Sequence, residues 1–136
     1  MFESAELGHA IPKLEYRRRE PKLRADLLDA QYELLGRRNF PVIVLIAGVE
    51  GAGNGETVNL LNEWMDPRHI VTQAFGKMSD EECQRPPMWR FWRALPPKGR
   101  IGILFGSWYT DPILARVTQK SRGSEFERSL REINDF

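Results

Sequence analysis

The stretch Pro41 to Gly48, PVIVLIAG, limits the possible folds more than any other part of the chain. Val42 to Ala47 is an unbroken apolar run, largely β-branched and bounded by Pro and Gly. It predicts a strand buried on both faces, as in a parallel sheet. The Gly-rich GVEGAGNGE follows, and then TVNLLNEWM, in which Val58, Leu61 and Met65 share one helical face with Leu60 and Trp64 alongside. DPR, Asp66 to Arg68, ends that helix, and His69 to Phe75 (HIVTQAF) predicts a second strand. Strand, Gly-rich turn, helix and strand make a βαβ unit. The apolar run is far too short to span a membrane.

Upstream, Leu23, Leu27 and Leu34, with Leu28, Tyr32 and Leu35 one position round, predict an amphipathic helix from about Pro21 to Leu35, with Gly36 as its stop. Arg17, Arg18 and Arg19 then precede it as a basic triplet, either a solvated stretch or a contact for a polyanion. Downstream, Ser79 with Glu82 has the spacing of a capping box, and Pro86 interrupts that helix. Met88, Trp92 and Leu95 are candidate core contacts of a second helical piece. Arg100 to Tyr109, RIGILFGSWY, predicts a third strand leaving through Gly106. TDPILARV begins as a turn or short helix, and FERSLREINDF places Phe126, Leu130 and Ile133 on an amphipathic helix in which the chain stops. Residues 1–38 are read as an arm and helix, and 39–136 as a partial α/β domain in one structural unit with it.

Composition narrows the function classes. Twenty Lys+Arg against nineteen Asp+Glu leave a net charge of +1, so bulk charge does not point to nucleic acid. Two His and one Cys are too few for a Cys/His metal cage or a disulfide framework. The lone Cys83 suits a reducing compartment, and no basic start leads into a long apolar stretch. The expectation is a soluble cytoplasmic unit without membrane or nucleic-acid partners.

Gly48 to Thr57, GVEGAGNGET, is the informative segment. Glycines let backbone N–H groups curl round an anion, and the following helix points its positive end at the same place. Gly48 and Gly53 match the spacing of the phosphate-binding pattern G-x-x-x-x-G-K-[ST], with the strand before and helix after that it requires. Asn54 stands where that pattern has Lys, and Gly55 where it has Ser or Thr. Two readings remain open: a phosphate cradle of Gly48, Gly51, Ala52, Gly53, Asn54, Gly55, Glu56 and Thr57, or a structural strand-to-helix turn with ordinary Asn-Gly chemistry.

PVIVLIAGVEGAGNGETVNLLNEWMDPRHI, RPPMWRFWRALPPKGRIGILFGSWYTDPI and FERSLREINDF together resemble the polyphosphate kinase 2 family. The opening MFESAELGHAI and Glu50 are similar to the N-terminal domain of two-domain polyphosphate:AMP phosphotransferases. The resemblance implies a P-loop kinase-like α/β fold, a parallel sheet with helices on both faces, truncated here before the lid and last strands. It also implies phosphoryl transfer between polyphosphate and an adenine nucleotide with Mg²⁺. Against the family pattern, Glu50 takes the place of an Asp, Asn54 that of the loop Lys, Phe105 that of the metal-binding carboxylate, and Gly106 that of its basic neighbour. Phe cannot ligate Mg²⁺, so no metal ligand is assigned. Glu50 is the only candidate catalytic residue, and Asp111, the other nearby carboxylate, is expected to cap the DP turn. Arg116, Lys120 and Arg122 are expected to be solvated. Trp89, Phe91, Trp92, Trp108 and Tyr109 are expected to fill the core rather than stack on a base.

The combined expectation is a degenerate copy of the kinase fold, inactive alone, within a polyphosphate-dependent AMP phosphotransferase. It would contact a second kinase-like domain or form a homo-oligomer. The alternatives are a phosphate- or nucleotide-binding module without catalysis, or a scaffold.

Overall fold

A helix much longer than the leucine spacing predicts opens the fold. In the computed structural model, which describes residues 10–48 and 51–136, α1 runs from Lys13 to Arg37. Pro21 sits inside α1 rather than at its start. A proline in a helix interior removes one backbone hydrogen bond and costs about 3 kcal/mol. Ion pairs one turn apart hold the helix on both sides of it: Glu15 with Arg19, Glu20 with Arg24 at 3.6 Å, and Lys22 with Asp26 at 2.6 Å. Arg17, Arg18 and Arg19 are therefore helical and exposed, with Arg19 in an ion pair. Gly36 does not end α1. The stop is Arg38, left-handed at φ 51°, whose N–H donates to the Leu34 carbonyl at 2.9 Å. Gly99 makes room for it, since a Cβ there would lie 2.8 Å from Arg38 Cγ.

Three parallel strands follow in the order β1-β3-β2: β1 (Val42–Ile46), β2 (Ile70–Ala74) and β3 (Ile101–Phe105). Val42 and Ile70 both pair with Ile101, and Ile46 and Ala74 both pair with Phe105. The strand buried on both faces is β3, not β1: Ile103 and Leu104 have no exposed surface, whereas Ile43 of β1 is 37% exposed. A strand with neighbours on both sides loses its edges to hydrogen bonding and its faces to helices; β1 has a neighbour on one side only.

Between β1 and β2 lie α2 (Asn54–Trp64), which ends just before the DPR segment, and a single 3₁₀ turn, Pro67–His69, capped by Asp66. Val58 and Met65 pack with Leu34 of α1 and with Ile101 and Ile103 of β3 to form the core. Between β2 and β3 are α3 (Asp80–Cys83) and α4 (Trp89–Ala94). The predicted capping box is present: Ser79 N–H donates to Glu82 Oε2 at 2.8 Å, and Glu82 N–H to Ser79 Oγ at 3.3 Å. In α4 the buried residue is Phe91, while Trp92, expected in the core, is 56% exposed. After β3 come α5 (Thr110–Val117) and α6 (Gly123–Asp135), where Ile133 is buried and Leu130 half-exposed. Among the described residues no helix is long and apolar enough to cross a membrane.

Candidate functional site

In an open parallel sheet, ligands bind beyond the carboxyl ends of the strands. Here those ends are the Gly-rich loop after β1, Phe75-Gly76 after β2, and Gly106-Ser107 after β3. Because β1 and β3 are neighbours in register, the loop lies beside the end of β3. Gly106 N–H donates to the Ile46 carbonyl at 2.9 Å, and Phe75 N–H to the Phe105 carbonyl at 2.8 Å.

Gly51 at φ 81° and Gly53 at φ 79° carry the loop through left-handed backbone that suits glycine, and Gly53 is the N-cap of α2. Thr57 commits both its N–H and its Oγ1 to the Gly53 carbonyl, each at 3.0 Å. The carboxamide of Asn54 reaches back to the start of the loop: a Cβ placed on Gly48 would lie 2.9 Å from its Oδ1 and 3.1 Å from its Nδ2. Gly55 faces open space, Ala52 is exposed, and Glu56 in the first turn brings its carboxylate to about the same side as Gly53. The structure thus gathers Gly48, Gly51, Ala52, Gly53, Asn54, Gly55, Glu56 and Thr57 at one helix start. Glu50 lies outside the described residues.

At the end of β3, Phe105 is 36% exposed and opposite Ile46. Gly106 at φ 105° turns the chain with its α-carbon against Phe75, where a Cβ would meet the Phe75 carbonyl oxygen at 3.2 Å. The buried Ser107 hydroxyl accepts from Tyr109 N–H at 3.1 Å. Asp111 is exposed in the first turn of α5 and makes no cap bond, so the expected capping role is absent; at that place its charge complements the helix dipole. Among the described residues no three His, Cys, Asp or Glu side chains converge as metal ligands. With Phe at 105 and Ser107 already accepting a backbone N–H, the described residues at the end of β3 do not fit a Mg²⁺ ion.

The aromatic residues divide. Phe91 packs on Phe75 at 4.7 Å and on Trp108 at 5.6 Å, and Trp108 continues to Phe136 at 5.0 Å, so these rings form a core as expected. Trp89 instead lies against two guanidinium groups, Arg93 at 4.7 Å and Arg85 at 5.3 Å, while Trp92 and Tyr109 are exposed. Arg116, Lys120 and Arg122 are exposed, as expected.

One polar cluster escapes the sequence reading. Gln31, 2% exposed, donates from Nε2 to the Asp66 carbonyl at 2.9 Å and accepts from Asp66 N–H at 2.7 Å. The Asp66 carboxylate accepts from Arg68 Nε at 2.9 Å and from the Tyr32 hydroxyl at 2.9 Å. The Arg68 side chain holds the Asp66 carboxyl well below the usual carboxylate range despite partial burial, and Asp66 in turn raises the Arg68 guanidinium above its ordinary value. The only signal for this cluster was a polar residue, Gln31, on the same helical stripe as Leu27 and Leu34.

A strand, a glycine loop with two left-handed residues, a helix N-terminus and an adjacent central strand define the class: an α/β protein whose candidate site lies at the carboxyl edge of a parallel sheet. The family model for Polyphosphate kinase 2 (PPK2) matches residues 10–136, and the chain belongs to that family. It is 56% identical over 130 residues to a polyphosphate:AMP phosphotransferase of Pseudomonas aeruginosa, covering 96% of this chain and 26% of that protein. A polyphosphate:AMP phosphotransferase of Pseudomonas syringae pv. tomato is 49% identical, with the same coverage. A crystal structure described as a polyphosphate kinase 2 from Pseudomonas aeruginosa PA01 superposes with a TM-score of 0.86 at 56% identity, over 96% of this chain and 28% of that one. The chain thus spans about a quarter of the length of these relatives.

Proposed function

We propose that this chain is a degenerate kinase-like unit, the N-terminal one, of a polyphosphate:AMP phosphotransferase. In this reading its glycine loop holds phosphate oxygens, and a second unit of the full-length protein carries the chemistry. The observation behind it is one of position: Asn54 opens α2 directly behind two left-handed glycines, and Phe105 lies in register beside that loop. Both places that should carry charge for phosphoryl transfer are neutral, while left-handed Gly51 and Gly53 and the start of α2 remain to face an anion. Exchanging a loop cation for an amide removes a charge-assisted hydrogen bond of about 1.5–3 kcal/mol. That weakens phosphate binding by one to two orders of magnitude without abolishing it.

A scaffold role without phosphate binding is the second reading. Glu56 favours it, because a carboxylate in the first turn of α2 repels the anion that the loop amides attract.

Two assays on the purified chain decide between them: polyphosphate-dependent conversion of AMP to ADP, read by coupled luminescence, and calorimetric titration with polyphosphate. The expected result is no turnover alongside measurable binding. Turnover that scales with protein and disappears in EDTA overturns the assignment of Asn54 and Phe105 as disabling. Absence of heat at millimolar polyphosphate leaves the scaffold.

A further inference from the structure

We infer that the first half of α1 is a docking arm for linear polyphosphate, which it grips along Lys13, Arg17 and Arg18. The class of ligand rests on the function proposed above; the place does not, because it lies outside the glycine loop. Between Lys13 and Arg24 stand six basic residues and two acidic ones, a net +4 in a chain whose total is +1, so the remaining residues are net negative. Both acidic residues are already committed one turn away, Glu15 to Arg19 and Glu20 to Arg24, and Lys22 is held by Asp26. Lys13, Arg17 and Arg18 are exposed and have no ion-pair partner among the described residues. On a helix of 3.6 residues per turn these three cations occupy a sector of about 140°.

This segment stands clear of the core. Leu14 is 82% exposed, and the first residue of α1 to form an ion pair outside the helix is Arg24, with Glu63 at 3.4 Å. The helix sets the spacing of the cations before any ligand arrives, so little backbone order remains to be lost on binding. Charge complementarity selects the ligand. A polyphosphate carries a negative charge on each phosphate, close enough together to meet all three cations at once. An acidic surface of a second copy is the poorer complement. The longest acidic run of the chain, Asp80-Glu81-Glu82, already has Glu81 paired with Arg85 and Glu82 with Arg90. Each basic residue facing an anionic surface contributes about fivefold to binding.

The test titrates the chain with long-chain polyphosphate and with tripolyphosphate. The arm variant, Lys13→Gln/Arg17→Gln/Arg18→Gln, is compared with a control of equal charge loss, Arg116→Gln/Lys120→Gln/Arg131→Gln, and circular dichroism checks the helix content of each. The arm variant should bind long-chain polyphosphate at least about tenfold more weakly, with a slope of log K on log salt shallower by about two. The control should stay within about threefold of wild type at physiological ionic strength, where distant exposed charges are screened. Equal binding by wild type and the arm variant overturns the arm and leaves polyphosphate on the loop. Equal weakening by both variants reduces the effect to bulk charge and overturns the arm as well. Tighter binding of a single-stranded oligonucleotide than of polyphosphate gives the segment to nucleic acid instead. Arm-dependent binding of the long chain without binding of tripolyphosphate supports the arm and removes the loop. A wild-type chain that binds neither phosphate removes both.

Discussion

Replacing Gln31 with Ala removes both hydrogen bonds to Asp66: its N–H loses its described partner, while its C=O keeps only the His69 N–H at 3.1 Å. A buried backbone group left unpaired costs about 1–3 kcal/mol, and that is the expected loss of stability, read from urea unfolding. A loss below about 0.5 kcal/mol, the range of ordinary surface substitutions, would mean that water replaces the carboxamide. At the candidate site, Asn54→Lys is expected to raise phosphate affinity and leave turnover undetectable, because Phe105 still offers no metal ligand. Phosphotransfer by that single variant would remove Phe105 as a second defect. Residues of these two kinds differ in how far sequence reveals them. Asn54 stands out against a local pattern of fixed spacing, and Phe105 against the family resemblance. Gln31 and Asp66 lie far apart in the chain, and their pairing exists only once α1 has packed beside α2.

At Gly106 the backbone itself limits which side chain the position can carry. The chain there lies at φ 105°, against the Phe75 carbonyl, so a larger residue meets both conformational strain and a close contact. Gly106→Arg, which would restore the basic residue that the resemblance expects, should instead destabilise the fold by about 1–3 kcal/mol. Thermal unfolding checks this, and an unchanged melting temperature would show that the turn relaxes freely. Element types were readable from periodicity: all three strands and α2 lie where their apolar patterns place them. Boundaries and ranks were not. Pro21 resembled a helix start because proline favours the first turn, but one-turn ion pairs on both sides carry α1 through it. Apolar runs alone did not rank β1 and β3, since burial depends on sheet order, which no single strand encodes. Trp92 was placed inside on size, whereas the face of α4 that meets the sheet carries Phe91.

Across the whole molecule, the joint between α1, α2 and β2 should fail first in acid. Asp66 binds protons less readily when folded than its ordinary value of 3.8 implies, because Arg68 and Tyr32 hold the carboxylate. Its contribution to stability is therefore complete above about pH 4 and is lost as the pH falls further towards the folded-state value. The melting temperature should drop as the pH falls below about 4, and Asp66→Asn should flatten that drop while lowering stability at pH 7. An identical acid limb in the variant would place the sensitive group elsewhere.

The strand order also fixes when this molecule can come together. β1 and β2 share no hydrogen bonds; each finds its only described strand partner in β3, which follows both of them in the chain. During translation, the early βαβ segment therefore leaves the ribosome with two strands whose backbones do not pair with one another. The sheet closes only after Phe105 has cleared the exit tunnel. Until then the nascent chain presents Val42–Ile46 unpaired, and holding it soluble falls to chaperones or to rapid elongation.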